Sequence, residues 1–363
     1  LTKKNITIVS IGIFILVGIY FYAPYRETTE NVLAEDSFVD GAVIKLPETG
    51  VSVRHVKTPD SIKAIYMTSW VAGTPSIRDR VIKIIDETEV NAVVLDIKDD
   101  TGKVSFTIES EPFKSLGSSE SRISDIHGLI ESLHDRGVYV IGRVSTFQDP
   151  YLIKKWPSEA VKTATDHDRL WADRKGLGWF DAGSQKVWDY VISLAEESYA
   201  VGFDEINFDY IRYPSDGNIK DINYRLVEGK TRADNLESFF KYLSEEVKKE
   251  QSIPISADLF GLTTEVNDDM GIGQVWEKAL PHFDFLAPMV YPSHYPSGHN
   301  GYKNPALYPY EVINKALIGA AKKTVNAGVD IKKIRPWLQD FDLGATYTKE
   351  MVRKQIQAVY DNK

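Results

Sequence analysis

Asp209 in FDEINFDYIRYP (residues 203–214) and Asp258 in ISADLFG (255–261) each stand near the end of an apolar run that reads as a buried β-strand. An ionised carboxylate taken out of water without a partner is costly, so acids at such positions need a chemical or a structural reason. Side chains alternate across a strand. That places Glu205, Asn207, Asp209 and Ile211 on one face and Asp204, Ile206, Phe208 and Tyr210 on the other. Asp209 lies at the exit of its strand, and Asp258 can stand beside it at the same height on the next. Two carboxyl groups so placed can cleave the acetal bond between sugars, one as nucleophile or base and the other as proton donor to the leaving oxygen. Asp209 takes the first role and Asp258 the second. Their separation, and with it retention or inversion of the anomeric carbon, is not readable from spacing. A lone aspartate at a strand end is more often a helix cap or a loop ligand; convergence with other polar and aromatic residues lifts these two above that reading.

Those other residues sit at comparable positions. Asp96, Lys98 and Asp99 end AVVLDIK together, as substrate contacts or as a self-satisfying salt bridge. Arg143 ends another run, and Glu205 and Asn207 lie deeper on the Asp209 face. Glu205 is as natural a partner for Arg143 or Arg212 as it is a substrate contact. Arg212 and Tyr213 either orient the carboxylates or lock the loop. Trp70, Trp179, Tyr213, Tyr291, Tyr295 and Trp337 fall at or beyond strand ends, with Asp340 just after Trp337. A single tryptophan there usually caps a core, but a group of flat rings can stack on sugar faces while their polar edges stay free. Substrate-binding candidates are thus Trp70, Asp96, Lys98, Arg143, Glu205, Asn207, Arg212, Tyr291, Trp337 and Asp340. His294 and His299 in SHYPSGHNG lack the helical i, i+4 spacing of a metal pair, and His282 reads as structural. No metal and no cofactor are expected. No G-x-S-x-G signals a serine nucleophile.

The elements that must position these residues follow a rhythm from residue 62 onward. Strand-like runs occupy 62–70, 92–98, 138–145, 203–211, 254–260, 284–291 and 333–339; helical patterns fall at 76–89, 122–136, 185–200, 232–250, 273–281, 309–327 and 348–361. Near-continuous apolar strands alternating with amphipathic helices predict a parallel sheet covered by helices. No G-x-G-x-x-G follows the first strand, as a dinucleotide-binding open sheet would require. Polar residues gathered at many strand ends favour a (β/α)8 TIM barrel, whose site is assembled on one face. Seven strand–helix units are counted, so the expectation is a barrel lacking its eighth strand in this chain. The connection 148–184 is long enough to be a lid or a binding element.

At 363 residues with a formal charge of -9, the chain carries no basic excess for nucleic acid, and with no cysteine it has no disulfide or thiol nucleophile. Residues 6–22, ITIVSIGIFILVGIYFY, are uncharged and follow Lys3 and Lys4. They predict a transmembrane anchor over 1–24 with its N-terminus in the cytoplasm, a tether over 25–60 with a short strand around 51–56, and an extracytoplasmic barrel over 61–363. Cleavage as a signal peptide, which would release a secreted protein, is the rival reading. It is disfavoured by the bulky Tyr20, Phe21 and Tyr22 where small residues belong.

LDIKDDTGKV, GWFDAGSQKVWDY, GFDEINFDYIRYP, APMVYPSHY and IRPWLQDF together resemble a bacterial domain of unknown function, a family of glycoside hydrolase-like TIM barrels often found behind a membrane anchor or signal. The resemblance runs from about residue 62 to the C-terminus, with FDYIRYP its most specific element. It implies a TIM barrel outside the cytoplasm acting on polysaccharide, and an eighth strand with a tryptophan-rich end beyond QAVYDNK. A looser similarity is to the chitinase pattern D-x-x-D-x-D-x-E. Asp204, Asn207 and Asp209 occupy its acidic positions, but Ile211 stands at its proton donor. Amylase and α-galactosidase barrels, with an aspartate nucleophile ending strand four, are the closer analogue of Asp209. The expectation is a glycoside hydrolase acting on a cell-wall or surface polysaccharide; a non-catalytic glycan-binding barrel and a wall-assembly scaffold are the alternatives.

Overall fold

A computed structural model describes residues 44–45 and 52–362, apart from Glu228 and Glu250. The expected anchor and about two-thirds of the tether lie outside the described residues. Among the described residues no helix is long and apolar enough to cross a membrane. Ser52–Val53 pairs antiparallel with Ile44–Lys45, which meets the expectation of a short strand there.

Six parallel strands form the central sheet: β1 (Ala64–Met67), β2 (Ala92–Lys98), β3 (Tyr139–Ser145), β4 (Glu205–Asp209), β5 (Ile255–Phe260) and β6 (Phe285–Met289). Their order in the sheet is their order in the chain, so each crossover moves one strand onward in the same direction. A seventh segment, 334–337, lies beyond β6, with Arg335 N–H donating to Leu286 O at 2.9 Å and Trp337 N–H to Pro288 O at 3.0 Å. It is shorter than the strand expected over 333–339. Since Arg335 and Trp337 both face β6, Pro336 turns its missing N–H the other way, toward the edge, where proline is tolerated. The sheet is curled. Arg335 reaches Glu205 on β4 at 2.8 Å, and the Trp337 ring meets Tyr66 of β1 edge-on at 6.0 Å.

Helices α1 (Pro75–Glu87), α2 (Ile126–His134), α3 (Gln185–Val201), α4 (Arg232–Val247), α5 (Trp276–Ala279), α6 (Pro309–Asn326) and α7 (Lys349–Asp361) fall where the apolar periodicity places them. Several starts are written locally. Asp125, Ser184, Thr231 and Thr348 each accept a backbone N–H of the first turn, a cap worth about 1 kcal/mol apiece. Gly202, at φ 124°, ends α3 in a left-handed turn that feeds β4.

Alternation divides the core in two. Val93, Leu95, Ile97, Val140, Val144, Ile206, Phe208, Ile255, Ala257 and Leu259 face outward and join the large cluster beneath the helices. Ala92, Val94, Tyr139 and Ile141 face inward and fill the interior below the polar mouth. Asp204 belongs to the outer set. Its carboxylate accepts Val56 N–H and Val140 N–H, each at 2.7 Å, and lies 2.9 Å from His134 Nε2. It thereby ties the segment before β1 to the base of β3. Asp204→Ala removes one side of a fully buried charge network and should lower the unfolding free energy by about 3 to 5 kcal/mol in chemical denaturation; a loss below about 1 kcal/mol would show that these bonds carry no net stability.

Candidate active site

Charged side chains from four strands form one cluster at the mouth of the curled sheet. Arg143 on β3 donates through Nη1 to Asp96 on β2 at 3.0 Å and through Nη2 to Asp209 on β4, and its Nε lies 3.7 Å from Asp258 on β5. Cross-strand register explains the meeting. Asp96, Arg143, Asn207 and Ser256 are lateral neighbours, and Asp209 and Asp258 each stand two residues further along their strands on the same face. Because both touch one guanidinium, the Asp209 and Asp258 carboxyl groups lie at most about 8 Å apart, below the upper end of the roughly 5 to 10 Å that glycoside hydrolysis uses.

The three acids are held differently. Asp209 accepts Tyr210 N–H at 2.6 Å on Oδ1 and Arg143 on Oδ2. Tyr210 has φ 54°, a left-handed conformation that a bulky residue adopts only under constraint, and it aims that N–H back at the carboxylate. Asp258 Oδ1 accepts Trp337 Nε1–H at 2.7 Å and Asn207 Nδ2–H at 3.0 Å. Burial, and then the charge of Asp209, pushes Asp258 up to about 7 against the pull of Arg143. Burial also raises Asp96, although Arg143 and Tyr66 hydrogen-bond to it; Tyr66 O–H donates at 2.8 Å. Burial opposes the Arg143 charge, yet Asp209 and Asp96 push its pKa up and hold it protonated. Burial, then Asp258 and Asp209, raise the Tyr291 hydroxyl beside them.

Several sequence candidates lie elsewhere. Lys98 is no groove residue. A register shift between Asp96 and Lys98 breaks the alternation, and Lys98 is 1% exposed, 2.9 Å from Asp149 and donating to Ser145 O at 2.6 Å. Asp99 pairs with Arg122, so of that trio Asp96 alone enters the cluster. Glu205 sits a layer deeper and takes Arg335 and Tyr139 O–H as partners, not Arg143 or Arg212. Trp70 is 58% exposed with the Arg122 guanidinium 4.6 Å over its ring, at the outer rim. Asp340 is exposed near Tyr291. Arg212 lies over Trp179, Tyr210 and Phe260 at 4.8, 5.2 and 4.8 Å, and Nη1 donates to Tyr213 O and Ser215 Oγ. His299 lies 3.3 Å from Glu265, and Tyr291 packs edge-on against Phe341.

The connection 148–184 is a packed wall, not a loose lid. It holds buried Trp171, Trp179 and Phe180, and Lys162–Thr163 pairs with Ile222–Asn223 of the loop after β4. Tyr66, a group the sequence passes over, joins the cluster directly; its alternation with Asp96 across β1 and β2 was the available signal. Arg335 gave no comparable signal, because its partner is 130 residues away.

A carboxyl group raised by burial favours folding while protonated. Asp258 therefore contributes most below the unfolded aspartate value and progressively opposes folding as pH rises from about 4 toward 7. Asp258→Asn, which cannot ionise, should melt at a higher temperature than wild type at pH 8, with the gap closing at pH 4; equal melting at both pH values would contradict a raised Asp258.

Residues 64–363 match a family described as "Putative glycosyl hydrolase domain". A hypothetical protein from Ruminiclostridium thermocellum ATCC 27405, solved by crystallography, is 32% identical over 53% of this chain and 96% of its own, at a TM-score of 0.49. The PgaB (BpsB) glycoside hydrolase domain from Bordetella bronchiseptica superposes at a TM-score of 0.58 with 13% identity, covering 83% of this chain and 91% of that domain. The α-galactosidase TtGalA from Thermus thermophilus gives a TM-score of 0.51 with 14% identity over 82% of this chain and 56% of its own. At 13 and 14% identity the likeness to these two is one of fold. No curated protein matches the chain in sequence. With four-fifths of its length inside that match, and the acidic cluster of β2 to β5 within it, the chain belongs to the family described as "Putative glycosyl hydrolase domain".

Proposed function

We propose that the chain is a glycoside hydrolase on a TIM-barrel frame, acting on a cell-wall or surface polysaccharide, with Asp209 as nucleophile or base and Asp258 as proton donor. The observation that carries this reading is the pair of carboxyl groups flanking one guanidinium, held in unlike surroundings. Asp209 accepts two N–H donors, one from a cation, while Asp258 is pushed toward its protonated form. Acid–base pairs are made in this way, by environments that separate two like groups. Arg143 and Asp96 hold the pair in register; Tyr66, Tyr291 and Arg212 offer rings, hydroxyls and a cation to the sugar.

The proposed arrangement along the chain is an anchor over residues 1–24, a tether over 25–60 and a barrel over 61–363 outside the cytoplasm. Its support is the uncharged run 6–22 behind Lys3 and Lys4. A non-catalytic glycan-binding barrel is the second reading. It is favoured by the commitment of Asp209 to Arg143, which a substrate would have to loosen.

Release of reducing ends from wall and capsule glycans by the full chain separates the two. Asp209→Asn should lower kcat/KM at least about 100-fold, and Asp258→Asn similarly on unactivated glycosides. The donor is protonated below its pKa, so activity should fall as pH rises through about 7. Hydrolysis unchanged in Asp209→Asn would remove it from the mechanism; glycan binding without hydrolysis would establish the second reading.

A further inference from the structure

We propose that Trp337 and Asn207 are positioning residues that fix the transferable proton of Asp258 on Oδ2. The inference rests on Asp258 being the proton donor and concerns which of its two oxygens carries the proton.

Both donors converge on Oδ1. The Trp337 indole N–H can only donate, and it reaches Oδ1 at 2.7 Å. The Asn207 amide nitrogen reaches the same atom at 3.0 Å and spends its other hydrogen on Ser256 Oγ at 3.1 Å. Neither donor is free to turn away. Trp337 is pinned by its backbone bond to Pro288 and by Tyr66 against its ring, and Asn207 lies buried in the middle of β4. An oxygen accepting two fixed N–H groups has no lone pair left to hold a proton, so the hydroxyl form of Asp258 must be Oδ2–H with Oδ1 as carbonyl oxygen.

Oδ2 has the opposite surroundings. The Arg143 guanidinium stands off from it, with Nε at 3.7 Å, beyond hydrogen-bond reach. The charged and titratable groups facing Asp258 are Arg143 from β3, Asp209 from β4 and Tyr291 from beyond β6, with Asp96 acting through the shared guanidinium. In the reaction, the Oδ2 proton passes to the glycosidic oxygen, which keeps the electron pair of the breaking C1–O bond. Asp209 supplies the new pair to C1, either directly or by deprotonating the water that does so. Asp258 is left as a carboxylate whose Oδ1 is already solvated by two N–H groups. Trp337, a groove-lining candidate by sequence, thus acts through Asp258.

The test needs no substrate. Infrared difference titration of the full chain isolates the protonated Asp258 carbonyl band, identified by its loss in Asp258→Asn. Trp337→Phe keeps a ring and removes the donor. Its Asp258 midpoint should rise by about one unit, because a bond to the carboxylate is lost. Its carbonyl band should move to higher frequency, because the carbonyl oxygen accepts one bond fewer. A folded Trp337→Phe protein with the midpoint and band of wild type would overturn the proposal. A higher midpoint with an unmoved band would also overturn it, by placing the proton on Oδ1. Should Trp337→Phe lose its cooperative melt, Asn207→Ala gives the same two readouts with the same meaning. Wild type inactive on every glycan would sink the hydrolase reading and leave this measurement standing.

Discussion

The mouth of this sheet holds together because one cation is shared among three acids. Asp96, Asp209 and Asp258 are each at most 6% exposed and approach from three different strands. Without Arg143 their mutual repulsion and desolvation would drive protons onto them or pull the strands apart. With it, the negative charge is offset in part at two direct contacts and one longer one, and Asp96 and Asp258 are still raised toward their protonated forms. The asymmetry matters as much as the balance. Asp209 takes a short contact, while Asp258 takes the long one and leans on neutral donors instead. One guanidinium therefore splits a trio of like groups into unlike ones, which acid–base chemistry requires.

Around that cation the backbone makes small departures from regularity that serve the same end. The shift in β2 sends Lys98 out of the mouth to Asp149, so Arg143 has no competing cation among the strand-borne residues beside it. The left-handed Tyr210 turns an N–H onto Asp209 immediately after β4. Below the mouth, Arg335 and Tyr139 hydrogen-bond to Glu205 at the level of the apolar residues Ala92, Val94 and Ile141, so the one acid at that depth is paired with a cation. Charge is thus graded along the interior.

The rim is built from connections that are themselves packed. The wall from 148 to 184 and the loop after β4 share a two-stranded ribbon, a Trp171–Asn218 bond and two N–H bonds onto Asp181. This wall presents Trp179 to Arg212, and the loop after β6 presents Tyr291. Family membership agrees with a carbohydrate-directed site, and under the proposed function the rings at the rim would be its sugar-facing surfaces.

The order of strands and helices, the inward set Glu205, Asn207 and Asp209, and the pairing of Asp209 with Asp258 were legible in the sequence, because alternation and helical periodicity are local properties of the chain. So was the structural role open to Glu205, though not its partner. What only tertiary structure decided was who meets whom across the interior. Arg143 on three acids, Arg335 on Glu205, and Trp337 with Asn207 on one oxygen of Asp258 all join residues dozens to more than a hundred positions apart. The fate of Lys98 was hidden for a related reason. A single-residue shift in register reverses the facing of everything after it, and nothing in AVVLDIK announces the shift. Local spacing fixes the face on which a side chain stands; the curl and register of the sheet fix its partner.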